Sequence, residues 1–304
     1  MRVASIKETF AAGDVFNYYP ISDTHLGATE CEEAALRALV QKIKDDPLAR
    51  WSHGGDIGDL ITPKDKRFQA GNVAERYQSK MHRIPDATIE HAVELFKPIA
   101  DKCWFIGVGN HESSLAAYYD RGIGAEIHSE LGLQDRYLGY RGFANVQFSY
   151  AKSAPRGNGA RNSSSLLIDF HHGWQAGRLY GAFHVEAERM LGHSNADIML
   201  RGHSHKRQAQ KFNSWVVGNS NTKYPRGQER LVVCTGTFMR SIKEASNRTD
   251  VISDVQDDTY AERKGYRPQD PLGPPLIQIA PVSFERVNGG SGGGRPNFHL
   301  SVTL

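Results

Sequence analysis

Five apolar runs in this chain each stop at an acid, an amide or an imidazole, and that punctuation limits its folding options more than any other feature of its 304 residues. The run from Val15 to Ile21 ends in Ser22-Asp23-Thr24-His25-Leu26-Gly27, and "ARWSH" ends in Gly54-Gly55-Asp56-Ile57-Gly58-Asp59. "CWFIGV" ends in Gly109-Asn110-His111-Glu112, "SLLIDF" in His171-His172-Gly173, and "ADIMLR" in Gly202-His203-Ser204-His205. Helical patterns lie between them. Leu36, Leu39, Val40 and Ile43 recur at helical spacing, and Thr29 and Glu32 have the spacing of a capping box. Ile89, Val93 and Phe96 share a face, and further helical patterns cover 120–131 and 181–191. Strands alternating with amphipathic helices predict an α/β layered domain, in which sites form at the carboxyl ends of strands. The adjacent glycines let the backbone turn sharply there.

The residue types at those ends point to metal. Carboxylate oxygens, an amide oxygen and imidazole nitrogens suit borderline divalent ions such as Mn, Fe or Zn. Two such ions about 3.5–4 Å apart can activate a water and clamp a phosphate through displacement. A lone D-x-H or G-N-H arises by chance; five in order, each closing an apolar run, do not. The sequence holds no G-x-x-x-x-G-K-[ST] and no H-E-x-x-H, and its G-x-S-x-G match, Gly289 to Gly293, falls in a glycine-rich loop rather than at a strand-to-helix elbow, so water is the expected nucleophile.

With D-x-H, G-D-x-x-D, G-N-H-E, H-G and G-H-x-H in that order from Asp23 to His205, the chain resembles the calcineurin-like metallophosphoesterase superfamily. The resemblance implies a four-layer α/β/β/α sandwich with a dinuclear metal centre at the carboxyl ends of the strands. It implies Asp23, His25 and His205 as ligands of a first metal, Asp56 as the bridging carboxylate, and Asn110, His172 and His203 as ligands of the second. His111 would bind no metal and would instead protonate the leaving oxygen, with Asp59 orienting its imidazole. Asn110 and His111 would also contact substrate. A hydroxide between the metals would be the nucleophile. The implied cofactors are two divalent ions, Mn first, with Fe, Zn or Mg as alternatives. Adjacent strand residues face opposite ways, so one of His171 and His172 reaches the metals, and the H-G pattern selects His172. His53, before the double glycine, reads as structural.

Phosphoprotein phosphatases of the superfamily carry arginines where this chain has Leu60-Ile61 and Val108, and usually lack the second histidine of G-H-x-H, here His205. Both departures point toward phosphodiesterases and Mre11/SbcD-type nucleases. The chain is also similar to phosphoesterases encoded by bacteriophages and bacteria, including its late "YAERKGYRPQDPLGPP" segment. The expected activity is that of a phosphodiesterase or nuclease. The alternatives are a phosphomonoesterase acting on protein or small molecules and a catalytically silent metal-binding scaffold.

Charge bears on the substrate. The net charge of +3 hides an asymmetry: residues 1–200 hold 22 Lys and Arg against 25 Asp and Glu, residues 201–304 hold 15 against 9. A basic C-terminal third favours anionic partners such as DNA, RNA or a nucleotide. Lys206, Arg207, Lys211, Lys223, Arg226, Arg230 and Arg240 are candidate phosphate contacts, though they read equally as a solvated surface. Trp174, Tyr180, Trp215 and Tyr224 could stack on bases, but Trp215 sits in an apolar strand and reads as core. No run of 18 apolar residues predicts a membrane span, and the N-terminus has no h-region of a secretory signal. Cys31, Cys103 and Cys234 read as free thiols of a reducing cytoplasm. No protein partner is indicated. One domain is expected over 1–304, with the motifs in 23–205 and the strands of 206–304 completing the second sheet. Segments 151–164 and 287–297 read as loops, the latter joining two terminal strands.

Overall fold

Period-two alternation makes the strands. The computed structural model describes residues 1–151, 163–173, 182–216, 226–242, 259, 262, 272–281 and 298–304. In β1 (Arg2–Phe10), Ala4, Ile6 and Phe10 are buried while Val3, Ser5 and Lys7 face solvent. In β6 (Arg141–Tyr150), Gly142, Ala144, Val146 and Phe148 turn inward. Neither strand contains a continuous apolar run, and the sequence reading predicts neither. The strands it does predict form as β2 (Phe16–Ile21), β3 (Ala49–His53), β4 (Cys103–Gly107), β7 (Ser163–His171), β8 (Ile198–Arg201), β9 (Arg207–Val216) and β10 (Arg226–Thr235). The terminal pair is β11 (Leu276–Pro281) and β12 (Phe298–Thr303), and the short β5 (Tyr137–Gly139) completes the set.

These strands build two six-stranded sheets. One has the order β12-β11-β2-β3-β4-β5, the other β1-β6-β7-β8-β10-β9. In the first sheet β2, β3, β4 and β5 are parallel, so their carboxyl ends emerge on one edge. In the second, β7, β8 and β10 are parallel and deliver their ends likewise. The strands after residue 206 divide between the sheets rather than all joining the second: β9 and β10 extend it, whereas β11 pairs antiparallel with β2 in the first.

Helices α1 (Glu33–Asp45), α2 (Glu75–Gln78), α3 (Ile84–Phe96), α4 (Asn110–Tyr119), α5 (Ile123–Glu130) and α6 (Ala182–His193) connect them. Three apolar interfaces separate four layers. Leu36, Val40, Leu95, Phe96 and Ile127 pack on the outer face of the first sheet against Ile21, Trp51 and Ile106. Between the sheets lie Phe16, Phe105, Phe148, Phe170, Ile198 and Val233, each buried aromatic side chain contributing roughly 1.5–3 kcal/mol. Phe183 and Ala187 of α6 cover Met199, Val232 and Cys234 on the second sheet. The result is the α/β/β/α sandwich. Among the described residues no helix is long and apolar enough to cross a membrane.

Three local expectations change. The capping box does not form: α1 starts at Glu33, Thr29 Oγ1 bonds Glu30 at 2.9 Å, and Glu32 N–H is taken by the Phe238 carbonyl at 2.8 Å. Trp215 is not core but 79% exposed, on β9 at the edge of its sheet. The basic residues that are described form no open patch, as set out below. Segment 152–162, Trp174, Tyr180, Lys223, Tyr224, residues 287–297 and most of the "YAERKGYRPQDPLGPP" segment lie outside the described residues.

Candidate metal centre

The parallel pairing of β2 and β3 continues past their ends and brings the first two motifs together. Asp23 N–H bonds the Gly55 carbonyl at 3.0 Å, His25 N–H that of Asp56 at 3.1 Å, and Leu26 N–H that of Ile57 at 2.9 Å. Where the backbone must then turn toward one point, it leaves the ordinary region. Among the described residues seven non-glycine residues have positive φ, and five are sequence-predicted ligands: Asp23 (52°), His25 (46°), Asp56 (50°), His203 (63°) and His205 (56°). Asp and His tolerate this region better than most residues, yet each instance costs roughly 1–3 kcal/mol and is characteristic of functional sites. Glycine is required at two adjoining points. Gly55 has φ +92°, and a Cβ there would lie 2.2 Å from Gly109 N; a Cβ on Gly109 would lie 2.1 Å from Asp56 Oδ1.

The side chains gather into two clusters that meet at Asp56. In the first, His205 Nε2 lies 3.4 Å from Asp23 Oδ1 and 3.2 Å from His25 Nε2, which is 4.0 Å from Asp56 Oδ2. In the second, His172 Nε2 lies 3.2 Å from both Asp56 Oδ2 and Asn110 Oδ1, and His203 Nδ1 is 2.7 Å from Asn110 Oδ1. Ligand atoms about 2.0–2.2 Å from one ion stand about 3.0–3.4 Å from each other, and the separations of 3.2–3.4 Å match, while His203 with Asn110 is closer at 2.7 Å and His25 with Asp56 wider at 4.0 Å. The donor chemistry fits as well. His172 Nδ1 donates to the Gly54 carbonyl at 2.7 Å, which fixes the tautomer and leaves Nε2 with its lone pair toward the oxygens of Asp56 and Asn110. Three acceptors so placed call for a cation between them.

The titration behaviour agrees. Burial opposes a charge on His172, yet the neighbouring Asp56 lifts its pKa to about 9, so without an ion a proton on Nε2 would stand where the lone pair would otherwise meet a cation. Burial likewise opposes the charged form of Asp56, but His111, His172 and His25 hold its carboxyl well below the usual carboxylate range. Burial keeps His25 and His203 neutral, as ligands must be. The site opens outward at His205, whose side chain is 31% exposed, while Asp23 and His172 form its floor.

His111 and Asp59 are placed differently from the simple dyad the resemblance implies. His111 Nδ1 donates to the backbone carbonyl of Asp59, not to its carboxylate. The Asp59 carboxylate stands 3.8 Å from His111 Nδ1 and closer, 3.4 Å, to His25 Nδ1. Burial works against charge on His111, but Asp56 and Asp59 raise its pKa. Its ring meets that of His25 edge-on at 4.8 Å. His171 joins none of the candidate ligand groups; its ring meets Tyr140 at 5.7 Å, and the same Tyr140 ring meets His172 at 5.3 Å. His53 is buried, accepting from Gly55 N–H at 3.1 Å on Nδ1 and bonding Thr24 Oγ1 at 3.1 Å through Nε2.

One central residue carries no expected role in the sequence reading. Glu112 is 2% exposed, and its carboxylate accepts N–H bonds from Asp56 (2.9 Å), Ile57 (2.7 Å), Gly58 (3.3 Å) and Gly109 (2.8 Å). Its position three residues after an N-cap glycine is the acidic half of a capping box, a signal legible in "GNHE".

Among the basic candidates, Lys211 pairs with Glu229 at 2.9 Å, and Arg240 pairs with Glu32. Arg230 is buried, donating to the carbonyls of Ala196 (3.0 Å), Leu191 (3.3 Å) and Ser194. Arg207 reaches the Leu272 carbonyl at 3.5 Å, and Lys206 is buried.

Four layers, two sheets presenting parallel strand ends, and three overlapping candidate ligand groups among the described residues (Asp23, His25 and His205; His25, Asp56 and His111; Asp56, His172 and His203) make up the arrangement of a calcineurin-like metallophosphoesterase fold. No family model matches the chain, and no curated protein matches it. Solved structures that align with it include a predicted phosphoesterase from Streptococcus pneumoniae, at 12% identity and TM-score 0.29, over 88% of this chain and 84% of that one. Vps29 from Chaetomium thermophilum aligns at 10% identity and TM-score 0.33, over 95% and 97%. Vps29 from Entamoeba histolytica, complexed with Zn²⁺, aligns at 10% identity and TM-score 0.33, over 94% and 99%. At such distances the class rests on the chain's own layers and ligands.

Proposed function

We propose that this chain is a dinuclear-metal-dependent phosphoester hydrolase whose first substrate class is phosphodiesters. The single observation that carries the reading is Asp56, whose Oδ2 lies 4.0 Å from His25 Nε2 and 3.2 Å from His172 Nε2 and so faces both clusters. Asp23, His25 and His205 with Asp56 would hold one ion; Asn110, His172 and His203 with Asp56 would hold the other. Mn is the first candidate, with Fe, Zn or Mg as alternatives. When bound, the ions supply an activated water and neutralise charge on the phosphoryl oxygens.

The chain's own groups do the rest. Asp56 sets the separation of the two clusters. The Gly54 carbonyl holds His172 in the tautomer that presents Nε2. His111, its Nδ1–H given to the Asp59 carbonyl, keeps Nε2 for the leaving oxygen, and its raised pKa keeps a proton there to donate. Leu60 and Val108 are buried and apolar where a phosphomonoesterase would aim guanidinium groups, which supports the diester. Of the basic candidates, Arg207, Lys211, Arg230 and Arg240 are engaged by internal partners, which favours a nucleotide-sized diester over a long nucleic acid. A reducing compartment such as the cytoplasm suits three free thiols.

The test compares bis-p-nitrophenyl phosphate with p-nitrophenyl phosphate, with Mn²⁺ and with chelator, using Asp56→Asn as the blank. Mn²⁺-dependent preference for the diester supports the reading, and preference for the monoester replaces it with the phosphatase. No metal-dependent turnover of either ester would overturn the hydrolase assignment for these classes.

A further inference from the structure

Glu112 joins none of the candidate ligand groups and meets Asp56 through its backbone. Its carboxylate binds three consecutive N–H groups of the loop after β3, those of Asp56, Ile57 and Gly58, together with Gly109 N–H at the start of α4. Each oxygen takes two donors: Oε2 those of Asp56 and Gly109, Oε1 those of Ile57 and Gly58. Both oxygens are thus committed as acceptors to backbone donors of two different loops. The link is returned from the other side, because Asp56 Oδ1 accepts His111 N–H at 2.9 Å. The same loop also receives His25 N–H at the Asp56 carbonyl and Leu26 N–H at the Ile57 carbonyl. The contact between the loops admits no slack, since Gly55 and Gly109 meet closely enough to exclude a Cβ on either.

From this we infer that Glu112 is a positioning residue of the metal centre: a buried carboxyl group, both oxygens taken by backbone N–H donors, that clamps the loop carrying Asp56 to the helix start carrying Asn110 and His111. It acts through Asp56, fixing the left-handed backbone from which that carboxylate reaches both clusters, and it does so before any ion arrives. The inference rests on the two-cluster reading above. It adds that the bridging geometry is set by a residue that is neither ligand nor proton donor.

The isosteric Glu112→Gln keeps the packing but turns one acceptor into a donor that faces two N–H groups. Calorimetric Mn²⁺ titration of the chelator-stripped full chain is the readout, with circular dichroism to confirm the fold. The expected result is two ions per wild-type chain and, in the folded variant, at least one of them bound 10–100-fold more weakly, the usual scale for a lost supporting partner. A folded variant binding both ions as tightly as wild type overturns the inference. A wild type that binds no ion would instead overturn the two-cluster reading, so the two failures are distinguishable. Should the variant not fold, amide exchange on metal-free wild type decides. Slow exchange at Asp56, Ile57, Gly58 and Gly109 supports a clamp that precedes the metal, and exchange there at loop rates overturns it.

Discussion

His111 and Asp56 stand one hydrogen bond apart, and opposite behaviour is expected of them. His111→Ala should leave metal content at its wild-type value and lower turnover by about 10²–10⁴, the scale of a lost general acid; elemental analysis beside a rate measurement checks both halves. Gly109→Ala would place a methyl 2.1 Å from Asp56 Oδ1, and no flexible neighbour can yield. Its expected cost is at least about 2 kcal/mol in urea unfolding, from overpacking alone. His53 yields a pH prediction. Burial holds its folded pKa at about 3 against 6.5 in the free side chain, so the unfolded chain takes up this proton first. Stability from this group is therefore complete above pH 6.5 and falls by about 1.4 kcal/mol per pH unit as pH drops toward 3. His53→Asn should flatten that slope in unfolding curves of the metal-free protein taken between pH 6.5 and 4.

At the scale of elements, the strand-end motifs were legible because each joins an apolar run to a polar group that a core strand does not need. β1 and β6 were not, because their apolar residues occur in ones and twos between Ser, Lys, Asn and Gln, and pairing of Arg2 to Phe10 with Gly142 to Tyr150, and of β6 with β7, makes them strands. The N-terminus of α1 misled because a local capping pattern at Thr29 lost to a tertiary partner, the Phe238 carbonyl, over 200 residues later in the chain. Trp215 misled because burial in a strand depends on whether the strand is an edge, which composition does not reveal. Two changes follow. Trp215→Ala should alter stability by no more than about 0.5 kcal/mol, as exposed positions do. Arg230→Met, by contrast, strands the carbonyls that close the turn after α6 and should cost about 2–3 kcal/mol without changing metal stoichiometry. Urea unfolding of both variants, with metal analysis of the second, separates these outcomes.

Across the whole molecule, three apolar interfaces hold two sheets so that parallel strand ends from both arrive on one edge. Asp23, His25, Asp56 and Asn110 come from the first sheet, His172, His203 and His205 from the second, and the centre exists only because the inter-sheet core fixes one against the other. The residue types of the candidate centre were readable in the sequence. The supporting geometry was not: Glu112's four donors and the Gly54 carbonyl behind His172 are backbone groups, which leave no side-chain signature. The division of basic residues between surface and interior was equally hidden, since Arg230 and Lys211 differ in surroundings and not in type.

The most direct test of the account is the number of divalent ions held by the chelator-stripped chain after saturation with Mn²⁺ and removal of excess. The account predicts two per wild-type chain and no more than one in Asp56→Asn, because one carboxylate serves both clusters. Two ions retained by Asp56→Asn, or fewer than two by the wild type, would contradict it.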